Sequence, residues 1–145
     1  MGGYSGGEIA SNLATITTRN YIVENFSKVA LEGTLNDSEN PEREKILELI
    51  KEAMVEANQA INEKSRESEE FGQMGTTLEV CLIYNNRAYI GHIGDSRVYR
   101  IRNNIIRKMT ADHSYVQELV KDGTITKEEA EYHPKKNLLM KAVRK

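Results

Sequence analysis

Cysteine is almost absent from this chain of 145 residues, since Cys81 is the only one. A single thiol excludes an internal disulfide and a zinc site built from several thiolates, and it fits a cytoplasmic location. No apolar run approaches the roughly 20 residues of a membrane-spanning helix, and no secretory signal is recognised. The chain also lacks an excess of charge of either sign, because 20 basic and 22 acidic residues leave a net charge of −2. This balance gives no electrostatic basis for binding nucleic acid or an anionic membrane.

The apolar and charged fractions, 39% and 29%, are typical of one globular domain covering residues 1–145. Two amphipathic helices are predicted, at residues 8–30 and 41–66. The apolar face of the first is predicted to contain Ile9, Leu13, Ile16, Val23 and Phe26, with Ala10 and Ala14 beside them. The second carries a regular apolar stripe of Ile46, Leu49, Ile50, Ala53, Ala57, Ala60 and Ile61.

The apolar pattern changes from helical to alternating after residue 75. Four short strands are predicted, at residues 76–84, 88–93, 97–102 and 105–109. Asn85-Asn86 and Asn103-Asn104 fit tight turns, because asparagine tolerates a positive φ. Gly94-Asp95 is predicted to turn the chain between the second and third strands. The sequence therefore predicts an α+β fold in which the helix pair packs on an antiparallel β-meander.

Two short helices are predicted after the strands. Asp112 is predicted to cap the first of them, and Gly123 to end it. Thr126 and Glu129 have the spacing of a capping box at the start of the second helix. His133-Pro134 is predicted to end that helix.

Asp95 is the residue best placed for chemistry. A carboxylate on a tight turn at the end of a strand is held rigidly, which suits a hard cation such as Mg²⁺ or Mn²⁺. Gly94 lets the backbone pass close to a ligand. The alternative is that Asp95 only stabilises its own turn through an Asx-type hydrogen bond. The tetrapeptide Gly94-Asp95-Ser96-Arg97, taken alone, favours this alternative.

The other reactive residue types are weaker candidates. His92 is expected to be a packed or edge histidine, and no cysteine lies at zinc-ligand spacing from any histidine. Cys81 lies in mid-strand and is expected to be a small core residue. No serine lies in a Gly-x-Ser-x-Gly nucleophile elbow. The glycines of Met1-Gly2-Gly3 fit either an anion nest or a flexible tail. No strand precedes them, which argues against a nucleotide-binding α/β domain.

Six short motifs follow one another in a characteristic order. They are Met1-Gly2-Gly3, Gly75-Thr76-Thr77, Gly94-Asp95-Ser96-Arg97, Thr110-Ala-Asp-His-Ser114, His133-Pro134 and Asn137-Leu-Leu-Met-Lys-Ala142. Each is weak alone. Together, over nearly the whole chain, they resemble the PPM (type 2C) metal-dependent Ser/Thr protein phosphatases in their short bacterial form. Met140 and Lys141 depart from that family's pattern, in which a threonine and an arginine stand at these places.

The resemblance implies hydrolysis of phosphoserine and phosphothreonine in proteins with Mn²⁺ or Mg²⁺, on a fold that is an α-β-β-α sandwich when complete. It implies that Asp95 helps to hold an additional metal at the edge of a two-metal centre, which reverses the preference for a simple turn residue. The ligands of the two core metals would precede Met1 or follow Lys145. The chain is therefore expected to be a partial phosphatase domain, inactive alone, with residues 112–134 as a mobile flap.

The partners implied by the resemblance are phosphoprotein substrates of an opposing Ser/Thr kinase, with no nucleic acid and no membrane. Self-association is also expected, because open strand edges recruit further strands. The alternative function is a non-catalytic, phosphatase-like module that binds a protein partner.

Overall fold

The computed structural model describes residues 6–33, 39–67, 71 and 74–143, so Met1-Gly2-Gly3 lies outside the described residues. The helices and strands in these ranges are α1 (Gly7–Gly33), α2 (Glu39–Arg66), β1 (Leu78–Tyr84), β2 (Arg87–Ile93), β3 (Tyr99–Arg102), β4 (Ile105–Lys108), α3 (Tyr115–Lys121) and α4 (Lys127–Tyr132). The predicted α+β class is confirmed. None of the helices in these ranges has the length and apolarity that crossing a membrane requires.

The buried face of α1 is built from small residues. Ala10 and Ala14 are buried in one cluster with Ala57 and Ile61 of α2, because alanine side chains let two helix backbones approach closely. The predicted apolar face is wrong for three residues, which are 37%, 49% and 64% exposed: Ile9, Ile16 and Val23. These three are spaced by seven and lie on the side of α1 away from the two alanines.

The apolar stripe predicted on α2 is confirmed, and it packs on a two-stranded sheet. Its buried members are Ile46, Leu49, Ile50, Ala53, Ala57 and Ile61. β1 and β2 pair antiparallel through the predicted tight turn at Asn85-Asn86, whose φ angles are 47° and 57°. Gly91 of β2 lies directly against α2, since a Cβ there would come within 2.5 Å of Ile50 and 2.7 Å of Met54. A larger residue would force the helix and the sheet apart.

Helices cover only one face of this first hairpin. Leu78 is buried, and Val80 and Leu82 pack against the helix clusters. Cys81 and Ile83 alternate with them and point away, so that Cys81 is exposed and Ile83 is 76% exposed. The prediction that Cys81 is a core residue is therefore wrong, because successive side chains of a strand point to opposite faces.

The four strands do not form one continuous meander. β3 and β4 make a second two-stranded sheet, with the predicted turn at Asn103-Asn104. The predicted β-meander is thus corrected to two separate hairpins. The break occurs at residues 94–98, which bond to the segment after β4 instead of continuing β2. The carbonyl of Val98 accepts from the N–H of Met109 at 2.8 Å, and the carbonyl of Gly94 accepts from the N–H of His113 at 2.8 Å.

The apolar segment near the end of the chain is extended rather than helical. Val143 is 1% exposed and forms an isolated β-bridge with Thr76, while Leu139 bridges Ser114. The segment therefore links the start of β1 to the start of α3.

Candidate functional site

The turn that carries Asp95 is packed against the residues before β1. Gly94 is buried, and a Cβ there would lie 2.4 Å from Cγ2 of Thr77. Its φ of 119° is also a conformation that L side chains rarely adopt. The hydroxyl oxygens of Thr77 and Ser96 are 2.9 Å apart and share a hydrogen bond. The structure thus brings together two motifs, Gly75-Thr76-Thr77 and Gly94-Asp95-Ser96-Arg97.

Asp95 itself is exposed. Its carboxylate has no hydrogen-bond or ion-pair partner within residues 6–33, 39–67, 71 and 74–143. The Asx-type hydrogen bond that would make it a simple turn residue is absent from this part of the chain. An uncommitted carboxylate on a fixed turn is available to a cation.

The described residues supply one candidate carboxylate rather than a complete metal centre. Within them, no group of three or more histidine, cysteine, aspartate or glutamate side chains could hold a metal ion. Mg²⁺ requires nearly octahedral coordination and sheds water reluctantly. Asp95 therefore fits a single ligand position of a hard cation, and the rest of a metal shell would have to come from other groups.

Asp112 joins the Asp95 turn to the second hairpin. Oδ2 of its buried carboxylate accepts from Nη2 of Arg97 at 2.7 Å and from Nε at 3.1 Å, and Nε also lies 3.2 Å from Oδ1. Nζ of Lys108 donates to Oδ1 at 2.6 Å. Asp112 was predicted to cap α3, but this prediction is wrong, because two cations occupy its carboxylate. Ser114 is the N-cap instead and accepts from the N–H of Gln117.

The two cations determine the charge state of Asp112. Burial alone raises the pKa of this carboxyl group, but the hydrogen bonds and charges of Arg97 and Lys108 outweigh burial and hold the pKa below its ordinary value. The hydrogen bond to Asp112 is also the main cause of a raised pKa at Arg97. Both groups are therefore charged at neutral pH.

Two histidines stack beside the same turn. The rings of His92 and His113 are 4.9 Å apart and within 16° of parallel. Nδ1 of His113 accepts the N–H of Gly94 at 3.1 Å. Nε2 of His92 lies 2.9 Å from the carbonyl oxygen of Ala111, and its Nδ1 lies 3.2 Å from Oε1 of Glu79. His92 is thus a packed histidine, as expected, and it fixes the chain just before Asp112.

Three boundaries of the two short helices after these residues are as predicted: the end of α3 and both ends of α4. Gly123 follows α3 with a φ of 73°. Thr126 and Glu129 form a capping box at the start of α4, with both of its hydrogen bonds present, and His133 is the C-cap. These three predictions are confirmed.

A polar cleft of about 450 Å³ lies between the Asp95 turn and the pair α3–α4. Its walls include Asp95, Arg97, Gln117, Lys127 and Lys136. Charged walls of both signs suit a polar ligand better than an apolar one. The uncommitted carboxylate of Asp95 therefore faces a space that a ligand could enter.

Comparison with known proteins identifies the family of this chain. The family model described as "Protein phosphatase 2C" matches residues 5–119. The chain belongs to the protein phosphatase 2C family. It is 39% identical over 143 residues to the protein phosphatase PhpP of Streptococcus pneumoniae. It is 34% identical over 143 residues to the serine/threonine phosphatase stp of Listeria monocytogenes serovar 1/2a. Both alignments cover 99% of this chain and 52% of the relative.

Solved phosphatase structures have the same fold. The serine/threonine phosphatase PstP/Ppp of Mycobacterium tuberculosis superposes with a TM-score of 0.72 at 35% identity, covering 99% of this chain and 54% of that one. The catalytic domain of PstP in complex with two manganese ions gives a TM-score of 0.71 at 31% identity, covering 99% and 53%. The chain thus spans about half the length of the relatives that it matches, and the resemblance seen in its motifs is confirmed.

The roles of Asp112 and His113 were not predicted from the sequence. Both lie shortly after the second hairpin, and each contacts a residue that lies shortly before it. A pair of basic residues at the two ends of a predicted hairpin, Arg97 and Lys108, is a signal that could have pointed to a shared carboxylate. It was not specific enough, because basic residues also occur on solvated strand edges.

We predict that Asp112→Asn destabilises the protein by about 1–3 kcal/mol. Hydrogen bonds to charged groups contribute about this much, and the half-exposed Arg97 keeps the loss below that of a fully buried pair. Because the folded-state pKa of Asp112 is lowered, its contribution is present above the ordinary pKa of aspartate and is lost as pH falls through the folded value. Urea denaturation at several pH values measures both effects.

The exposed Asp122 provides a matched control. Asp122→Asn should change the free energy of unfolding by less than about 0.5 kcal/mol. Equal stability of the two variants, or an unchanged acid dependence in Asp112→Asn, would contradict the importance of the Arg97–Asp112 pair.

Proposed function

We propose that this chain forms part of a metal-dependent protein phosphatase that hydrolyses phosphoserine and phosphothreonine in proteins. The observation that supports this best is the uncommitted, exposed carboxylate of Asp95 on an immobilised turn, in a chain of the protein phosphatase 2C family. The names of its relatives, protein phosphatase and serine/threonine phosphatase, give the substrate class.

Asp95 is proposed to be a ligand of Mn²⁺ or Mg²⁺. A hard carboxylate oxygen suits either cation, and a related catalytic domain is described in complex with two manganese ions. Thr77, Ser96 and Arg97 would hold the turn in place through the contacts described above. One carboxylate does not complete a metal site, so we derive no catalytic step through the metal from these residues.

The chain alone is proposed to be inactive. Its described residues hold no group of three potential metal ligands, whereas two-metal phosphatases use both cations to stabilise the attacking and leaving oxygens. Phosphoproteins made by an opposing Ser/Thr kinase are the proposed substrates, and a cytoplasmic location stays a prediction. A second candidate function, a protein-binding module, is favoured by the exposed apolar surface of β3 and β4.

We predict no metal-dependent turnover by this chain with Mn²⁺ and a phosphothreonine peptide. In a protein of the relatives' full length that contains this chain, the same assay should give turnover that a chelator abolishes. There, Asp95→Ala should lower kcat/KM by roughly a hundredfold, because a metal that orients water contributes several kcal/mol to the transition state. Release of inorganic phosphate is the measurement.

The exposed Glu63 of α2 serves as the control carboxylate, and Glu63→Ala should leave turnover unchanged. Turnover by the chain alone would refute its proposed inactivity. Unaltered rates and metal dependence in Asp95→Ala would show that Asp95 is not a ligand, and a full-length protein without turnover would favour the protein-binding module.

Residues 112–134 are proposed to form a mobile flap beside the polar cleft, anchored at its start by the contacts of Asp112 and His113. α4 has no buried residue, and Val116 is the buried residue of α3. With so little apolar area holding the two helices down, we predict hydrogen exchange in α3 and α4 at least tenfold faster than in β1 and β2. Protection in α4 equal to that in β1 would refute a flap.

Self-association is proposed to occur through the second hairpin. Ile101, Ile105 and Ile106 are 70%, 69% and 67% exposed, and within the described ranges β3 and β4 pair only with each other. Open edges and exposed apolar side chains recruit further copies. Light scattering should show a mass that rises with concentration, and Ile105→Lys should reduce the rise. A wild-type monomer throughout the concentration series would refute the proposal.

A further inference from the structure

His113 forms hydrogen bonds with both backbone polar groups of Gly94. The N–H of Gly94 donates to Nδ1 of His113 at 3.1 Å, and its carbonyl accepts from the N–H of His113 at 2.8 Å. Gly94 is buried, and it packs so closely on Thr77 that a Cβ there would lie 2.4 Å from Cγ2 of that residue. Asp95 follows Gly94 directly, so the direction in which its main chain leaves the turn is fixed by His113.

The hydrogen bond from Gly94 assigns the protonation state of His113. Nδ1 accepts a hydrogen bond, so it carries no proton, and the neutral ring has its proton on Nε2. Protonation of Nδ1 would place two N–H groups against each other. The contact with the N–H of Gly94 would then be lost, and a buried donor would be left unsatisfied.

The ring of His92 is fixed beside that of His113. The carbonyl oxygen of Ala111 faces its Nε2, and a carboxylate oxygen of Glu79 faces its Nδ1. The two imidazole rings stack with their centroids 4.9 Å apart, so His92 is one of the groups that act on His113 directly.

The groups around His113 favour its neutral state on balance. Burial lowers the pKa of His113, and the positive charges of His92 and Lys141 lower it further. The carboxylates of Asp112 and Glu118 oppose this effect but do not reverse it. The neutral, hydrogen-bond-accepting form of His113 is thus favoured in the folded protein.

We propose that His113 is a positioning residue for Asp95, which it holds through Gly94 only while its Nδ1 is unprotonated, and that His92 keeps it in that state. The contact between His113 and Gly94 does not depend on the proposed phosphatase function. Only its consequence for metal binding rests on the proposed role of Asp95.

The direction of the pH effect follows from the lowered pKa. Above the ordinary pKa of histidine, His113 is neutral in both the folded and the unfolded chain, and its contribution to stability is complete. As pH falls below that value, the unfolded chain binds a proton first, so stability declines until His113 is also protonated in the folded state. At that point the Gly94 hydrogen bond is lost, and the Asp95 turn loosens.

The test follows the amide signal of Gly94 by NMR from about pH 8 to about pH 5, a range that contains the titration of histidine. In the wild type, the Gly94 signal should shift with pH, and its hydrogen exchange, relative to an unstructured peptide at the same pH, should become roughly tenfold faster. His113→Asn is the decisive variant, because asparagine Oδ1 lies near the position of Nδ1 and does not titrate. Gly94 should then stay protected and insensitive to pH.

A second variant, His92→Gln, keeps a donor toward Ala111 but removes the stacked imidazole that lowers the pKa of His113. It should move the Gly94 transition to higher pH. A Gly94 signal that does not respond to pH in the wild type, or that responds identically in His113→Asn, would overturn the proposal. A transition at unchanged pH in His92→Gln would overturn the part assigned to His92.

Mn²⁺ provides the link to function, because a paramagnetic ion broadens nearby amide signals even when it binds weakly. Broadening around Asp95 should occur in the wild type at neutral pH and be absent in Asp95→Asn. At low pH it should persist better in His113→Asn than in the wild type, and equal loss in the two would overturn the effect of His113 on metal binding. If Mn²⁺ broadens no signal near Asp95 in the wild type, the metal-ligand role fails, while the Gly94 titration still decides the role of His113.

Discussion

The position of the second hairpin depends on one buried carboxylate. β3 and β4 form no ladder with β2, and all eight of their residues are exposed, so apolar burial does little to hold them in the folded chain. Asp112 compensates at the base of the hairpin, where it binds Arg97 just before β3 and Lys108 at the end of β4. A single anion between two cations thereby fixes where the hairpin leaves the molecule and where the chain returns toward α3.

The first hairpin is held in a different way, by close packing without charge. α2 approaches β2 so closely at Gly91 that no Cβ fits between them, and α1 approaches α2 through Ala10 and Ala14. Both contacts rely on the absence of side-chain volume. This packing joins the two helices and the first hairpin in one core, and the turn at Asp95 is attached next to it through Thr77.

Local signals in the sequence predicted the local structure well. The asparagine pairs have positive φ angles, Thr126 and Glu129 form their capping box, and the stripe on α2 is buried. Each of these features depends on neighbours a few residues away. What the sequence did not predict depends on distant partners. Apolar character alone could not show that α1 buries alanines rather than Ile16, or that Cys81 faces away from the helices. Likewise, the position of Asp112 before a helix could not show that it binds a residue 15 positions earlier instead of capping that helix.

The Asp95 turn also depends on distant partners rather than on its near neighbours in the sequence. A carboxylate that stabilised its own turn would be partly committed, and its oxygens would be less available to a ligand. Here the turn is stabilised by its neighbours instead: Gly94 through His113, Ser96 through Thr77, and Arg97 through Asp112. Every one of these contacts joins residues at least 15 positions apart. The motif therefore predicts Asp95 as the candidate ligand, while only the fold shows how its turn is held by other residues and its carboxylate is left without a partner among the described residues.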